Sequence, residues 1–450
     1  MKKRQFDAVV VGAGFGGMCA AARLAHEGYK TLVVERLAYL GGRAGSIECR
    51  GFKKTTGAHA ISGKGHTAET FKAVGAELNL KAGPPDKQCV YWLDGKELLA
   101  PVEQAIPQAI QEYSKDKEGA RRVLDALTRA MEWQEPTGKT TLVEWFSQYT
   151  KDDRIFQVFQ PLAIACCQTI YEWQVGEFFA LLKDQAKTGG WEISYPTKGN
   201  EEIMNSLATV ILQKGGEIWK NAEVQRITVD ECKATGVIVK TPDNDDEWEI
   251  RAPVVVSDTG PKRTVELTGS EHFDKDYLNE LKLIKPTNLS ITLNIISDEP
   301  LSEHVGVIWP VGVAKVGCIL PVTNAAPEWA PPGKHMLMVF AFAGMGMFGP
   351  AIHPLSIEKE IELTIEDVNK VIPNWQKRGK ILSIDTFHGE WPVFRADLNS
   401  GYIPVKAPVV GLYNVGDGIR IKGILATGHC AETARIAVDD IVSRFDPTGA

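Results

Sequence analysis

The chain has 450 residues, 44% hydrophobic and 24% charged, with 57 acidic against 50 basic side chains. That composition excludes a disordered, collagen-like or low-complexity polymer, and an acidic balance without a long basic run argues against nucleic acid as a partner. The length exceeds one compact core and predicts two domains.

Met1-Lys2-Lys3-Arg4 before a small apolar stretch has the outline of a secretory signal, but Asp7 and the glycines that follow favour a first strand. Phe6 to Val11 is an apolar run of buried-strand length. Met18 to Gly28 reads as a helix stopped by glycine, and Lys30 to Glu35 as a second strand, completing a β-α-β unit. Residues 66 to 190 are mostly helical in pattern. Asn200 to Lys214 reads as a helix; Glu217 to Thr228, Ala234 to Lys240, Glu247 to Arg251 and Ala252 to Ser257 read as strands. Ser290 to Ile296 and Met336 to Phe342 are strands, Ile357 to Val371 a helix, Gly411 to Val415 a strand and Leu425 to Phe445 a final helix. The uncharged run His335 to Leu355 has membrane-span length, but its glycines and prolines predict a strand and then a loop.

The fold class is therefore α/β: a Rossmann-type domain assembled from 1–65, 195–261 and 400–450, with an inserted α+β domain from 66–194 and 262–399. Eight scattered cysteines, without C-x-x-C spacing, read as free thiols of a reducing, cytoplasmic compartment, and no metal-ligand pattern is evident.

Gly12, Gly14 and Gly17 stand between a strand and a helix, where the first permits a tight turn, the second admits a pyrophosphate and the third lets helix pack on strand. The helix N-terminus offers free N–H groups to phosphate. Glu35, at the end of the second strand, is placed to bind a ribose 2′-OH and would repel a 2′-phosphate, leaving NAD and FAD. Gly41-Gly42-Arg43 is a second glycine turn bearing a guanidinium suited to phosphate, an element that an NAD domain does not ordinarily need.

With these motifs the chain resembles the flavoprotein superfamily of monoamine oxidases, protoporphyrinogen oxidase and phytoene desaturases. The resemblance extends through Gly51-Phe52, Gly57-Ala58-His59, Gly215 to Ile218, Asn221 to Val224, and Gly411 to Asp417 with Gly423 to Ala434. It implies bound FAD, with Glu35 on the adenosine ribose, Arg43 near the pyrophosphate, the Val224 backbone at the adenine and Asp417 at the ribityl or phosphate region. The helix after Gly423 would aim its positive end at the flavin pyrimidine edge. The cofactor set is Gly12, Gly14, Phe15, Gly16, Gly17, Glu35, Arg36, Gly42, Arg43, Val224, Gly416, Asp417, Gly423 and Ile424. Two positions depart from the pattern: Thr55, where an acid is common, and the bulky basic Arg420-Ile421-Lys422.

Trp191 to Pro196 resembles the phytoene desaturase branch, which implies hydride transfer to or from a C–C bond of a lipophilic isoprenoid: desaturation, saturation or isomerisation. A single fingerprint directs reducing equivalents to a quinone, oxygen or another diffusible acceptor. Trp191, Tyr195, Met338 and Trp391 are candidate cavity residues, with aromatic core as the alternative for the rings. Met336, Met338, Met345 and Met347 form an adaptable wall or ordinary core, and Gly344 to Pro350 a buried loop or a peripheral membrane contact. His59 and His429 fall near the cofactor as proton carriers or as structural residues. Cys430 invites covalent flavin attachment or a pair with His429, but adjacent helical residues do not face each other. Two other readings remain: a flavin amine oxidase, although Ser290 to Ile296 supplies no lysine for the flavin, and a lipid-binding protein of the escort and dissociation-inhibitor type.

Overall fold

The computed structural model describes residues 2–132, 140–190, 192–241, 247–284, 289–343, 345–346, 349–350, 355–387, 401–419 and 421–447. Trp191, Trp391, Gly344, Met347 and Arg420 lie outside them, as do the side chains of 345–346 and 349–350.

Five short strands make a parallel sheet in the order Glu217–Trp219, Thr31–Val34, Ala8–Val11, Val254–Ser257, Leu412–Asn414. The three innermost are fully buried β-branched and apolar runs, as a parallel sheet covered on both faces requires. Helix Phe15–His26 leaves the end of Ala8–Val11 and packs on helices Asn200–Gln213 and Ala426–Val442. Segments from the beginning, middle and end of the chain thus share one core, which holds Val9, Val33, Val255, Leu412 and Ala434. Helix Gly65–Val74 joins it through Phe71 and Val74.

A seven-stranded sheet carries the second body of core in the order Gly379–Phe387, Ser290–Ser297, His335–Phe342, Val316–Leu320, Val307–Val311, Cys89–Leu93, Lys96–Ala100. One face packs on the insertion helices through Met338, Phe340 and Trp309, the other on Ile357–Val371 through Leu293, Val339 and Val368. Alternating residues of a strand serve opposite faces, so both can be apolar.

The structure adds to the reading of the sequence at two points and corrects it at one. Region 66–190 is not only helical: Cys89–Leu93 and Lys96–Ala100 form a hairpin whose turn, Asp94-Gly95, has φ of 52° and 94°, the double positive φ that an Asp-Gly turn favours. The run Glu217 to Thr228 is two strands, because Asn221 at φ 53° breaks it and the Ala222 N–H donates to Glu35 O at 2.9 Å. The charged N-terminus is itself a strand, Lys2–Gln5, lying parallel to Glu247–Arg251 in a separate four-stranded sheet. Among the described residues, no helix is long and apolar enough to cross a membrane.

His66 ties three helices together, with Nε2 3.0 Å from Asp184 Oδ1 and Nδ1 3.1 Å from Glu432 Oε2. The hydrogen bond to Glu432, with that to Asp184, outweighs burial and lifts its pKa from 6.5 to about 9. A pKa raised on folding stabilises fully below the unfolded value, and the gain disappears as pH climbs through the folded one. Thermal midpoints of wild type should exceed those of His66→Gln below pH 6.5, and the gap should close as pH approaches about 9. A gap that stays constant with pH would remove the charged clasp.

Candidate functional site

The site is built where the parallel strands end. Gly12 turns the chain with φ 94°, and its N–H donates to Val34 O at 2.8 Å. A Cβ on Gly17 would lie 2.2 Å from Gly12 O, so glycine is what lets the helix seat against the turn. Phe15–His26 begins with neither a side-chain cap nor an acidic residue in its first turn, which leaves its N–H groups suited to an anion.

The second glycine turn is bound to the first. Gly41 pairs with Gly14 in a parallel bridge, and its N–H donates to Ala13 O at 2.7 Å. Thr56 Oγ1 donates to Gly42 O at 2.6 Å and accepts from Gly45 N–H at 3.0 Å. Thr56 was not among the sequence candidates; its neighbour Thr55 is buried, and the Thr55 Oγ1 has no hydrogen-bond partner among the described residues. The Ala58 N–H donates to Arg43 O at 2.7 Å, so the Gly57-Ala58-His59 segment supports the Arg43 backbone.

The far end of the chain closes the site. Arg43 donates to Asp417 through Nη1 at 3.1 Å and Nη2 at 2.7 Å, a forked ion pair that joins the two glycine-rich ends. A Cβ on Gly16 would sit 2.7 Å from Gly416 N. Glu35, 5% exposed, accepts from Ala13 N–H at 2.6 Å and Leu37 N–H at 2.8 Å, which fixes its carboxylate at the strand end. Val224 is buried on the strand beside Ala222, whose N–H meets Glu35 O. Arg36 is exposed.

The segment before the last helix depends on the insertion. The Gly423 N–H donates to Glu177 Oε2 at 3.1 Å, and a Cβ on Gly423 would meet the Ala180 backbone at 2.6 Å. Glu177, on helix Val175–Lys187, was missed because one acid in an amphipathic helix carries no local signal. His429 Nδ1 lies 2.9 Å from Ile424 O, and burial lowers its pKa, which keeps it neutral. Cys430 is buried and held as a thiol by desolvation.

These residues suit a dinucleotide: a cradle that a Cβ would fill at Gly14 and Gly16, uncapped N–H groups, one guanidinium on the second glycine turn and a carboxylate at the strand end. Residues 15–442 match the model of the family described as flavin containing amine oxidoreductase.

The chain belongs to that flavin-containing family.

Its cofactor is FAD, and its class is that of a flavin oxidoreductase of the amine oxidase and carotenoid desaturase family. The chain is similar to an uncharacterized protein of Methanocaldococcus jannaschii, 26% identical over 417 residues that cover 92% of this chain and 94% of that one. It is also similar to the chloroplastic prolycopene isomerase of Daucus carota, 25% identical over 519 residues, 97% of this chain and 81% of that protein. The crystal structure of an oxidoreductase from Methanosarcina mazei superposes with a TM-score of 0.82 at 26% identity, covering 97% of this chain and all of that one.

Beside the cradle, the seven-stranded sheet presents a mixed face. His59 Nε2 lies 2.9 Å from Thr292 Oγ1, and its ring is 5.0 Å from Phe340. Burial drops the His59 pKa to about 4, so the imidazole is neutral at physiological pH. Next along the strand, Asn294 donates to Asp385 Oδ2 at 2.9 Å, and Asp385 pairs with Lys54 at 2.5 Å. Met338, paired with Asn294 in register, and Tyr195, stacked edge-on to Trp329, are both buried in the core on the helix side of this sheet.

Proposed function

We propose that this flavoprotein acts on a C–C bond of a lipophilic, isoprenoid substrate, desaturating, saturating or isomerising it. The observation that carries the reading is the uncharged His59 on the sheet face next to the cradle, packed against Phe340 and Thr292. FAD supplies the hydride acceptor or donor when bound. The protein's part is then positioning and exclusion of water rather than proton abstraction. Similarity to a prolycopene isomerase along 97% of the chain supports the same class.

In this reading Gly12, Gly14, Phe15, Gly16 and Gly17 cradle the diphosphate with Gly42, Arg43, Gly416 and Asp417. Glu35, Arg36 and Val224 hold the adenosine, and Gly423 and Ile424 the flavin end. Segments 1–65, 195–261 and 400–450 form the cofactor domain, and the two insertions form the substrate domain. The electron partner is a quinone, oxygen or another diffusible carrier, and the site of action is cytoplasmic, with peripheral contact to a membrane that holds the substrate. Amine oxidation is disfavoured because Ser290–Ser297 offers no lysine and Lys54 is engaged by Asp385.

The test is anaerobic mixing of the FAD-loaded protein, with oxidised and with chemically reduced flavin, against detergent-dispersed polyisoprenoids, read by flavin absorbance and product mass. The expected result is flavin turnover or an altered isoprenoid. Peroxide release from amines with inert isoprenoids would overturn the reading, as would a protein that stays colourless in excess FAD.

A further inference from the structure

Asp258 follows the buried strand Val254–Ser257 at its carboxyl end, beside the strand that feeds the fingerprint. Its backbone N–H donates to Val11 O at 2.8 Å, which fixes its Cα next to Gly12. The side chain enters the cradle. A Cβ on Gly14 would lie 2.3 Å from Asp258 Oδ2, and one on Gly416 would lie 2.3 Å from Oδ1. From Gly16 the distance to Oδ1 would be 2.9 Å, and from Gly17 to Oδ2 3.1 Å. Three fingerprint glycines and Gly416 therefore enclose a carboxyl group in the space where this motif brings backbone against a diphosphate. Its Oδ2 is buried and has no hydrogen bond of ordinary geometry among the described residues.

The groups acting on this carboxyl come from every neighbouring element: the Gly17 N–H and Cys19 from the first helix, Glu35 from the strand end, Arg43 from the second glycine turn, Asp417 from the closing turn and Cys430 from the last helix. Burial holds both cysteines as thiols. Arg43 is the one cation among these groups, and Asp417 already engages it. An ionised Asp258 would stand as an unmatched buried anion beside Glu35 and Asp417, and the two negative charges of FAD's diphosphate would add to the repulsion.

We propose that Asp258 is a cofactor-site residue that works as a neutral acid, with its protonated carboxyl donating a hydrogen bond inside the diphosphate cradle. Desolvation pushes its pKa well above the ordinary carboxylate range, against the opposing pull of the Gly17 N–H and of Arg43. The proton comes from solvent, so the carboxyl that meets the cofactor is uncharged. This assignment concerns the cofactor and stands whatever the substrate is.

The experiment is infrared spectroscopy of the FAD-loaded protein carrying carboxyl-labelled aspartate, together with FAD titration of flavin-stripped wild type and Asp258→Asn. Surface aspartates are ionised at neutral pH, so a protonated-acid carbonyl stretch that shifts with the label and vanishes in Asp258→Asn is the expected signature. Asn keeps the shape and a permanent N–H donor, so its Kd should stay within about threefold of wild type, whereas Asp258→Leu, which has no donor, should lose at least about tenfold, the equivalent of one hydrogen bond. A label-sensitive spectrum showing only ionised carboxylate overturns the proposal. So does a folded Asp258→Asn protein whose Kd rises more than about tenfold, a loss of the size a charged-group hydrogen bond carries. Failure of the diphosphate site itself would show differently, as undiminished FAD binding in Arg43→Ala.

Discussion

Arg43→Ala should fold and yet purify with little or no flavin. The guanidinium sits on the short turn Gly42–Ala44, and its two bonds to Asp417, at 3.1 and 2.7 Å, join residues from opposite ends of the chain. Alanine leaves the Asp417 carboxylate unpaired and takes the guanidinium charge from the second glycine turn. Losing a hydrogen bond to a charged group costs about 1.5–3 kcal/mol, so FAD affinity should fall about tenfold to a hundredfold. Arg43→Lys retains the charge without the fork and should lie between the two. Fluorescence titration of FAD, with circular dichroism to verify folding, measures this; wild-type affinity in Arg43→Ala would place the diphosphate elsewhere.

Gly16→Ala should cost stability as well as flavin. The new Cβ would stand 2.7 Å from Gly416 N, 2.8 Å from Gly416 Cα and 2.9 Å from Asp258 Oδ1. Backbone cannot rotate away as a long side chain can, and Gly416 is further held by its N–H bond to Thr433 Oγ1 at 2.9 Å and by a φ of 95°. Either the first helix or the closing turn must move, and overpacking of this kind costs about 1–3 kcal/mol. Calorimetry should show a lowered Tm, and the protein should retain less flavin than wild type. An unchanged Tm with full flavin content would mean that the two ends do not meet as described.

The parallel sheet was legible because each of its inner strands is a short Val-rich run followed by glycine or by an acid, a local pattern with few other solutions. Glu35 and Arg43 were legible for a similar reason: their spacing from the fingerprint is set by one β-α-β unit. The Asp94-Gly95 hairpin was legible but overlooked, since helical patterns before it in Gly65–Val74 and after it in Val102–Tyr113 masked a turn dipeptide with its own signature. Sheet order in the insertion was not legible at all. Cys89–Leu93 lies parallel to Val307–Val311, a partnership between distant segments that packing selects and that no local propensity encodes.

Asp258 was overlooked for a different reason. One acid after an apolar strand looks like an ordinary strand end, and only the closeness of Gly14, Gly16, Gly17 and Gly416 in space shows what surrounds it. Glu177 and Thr56 are similar, Glu177 bonding a backbone group far away in the sequence and Thr56 bonding two backbone groups inside a turn.

The most direct test of the central claim, that three discontinuous segments hold one FAD through these residues, is calorimetric titration of the flavin-stripped protein with FAD. Saturable one-to-one binding in wild type, weakened by Arg43→Ala and by Gly16→Ala, is the predicted result. Binding that survives both substitutions unchanged would contradict it.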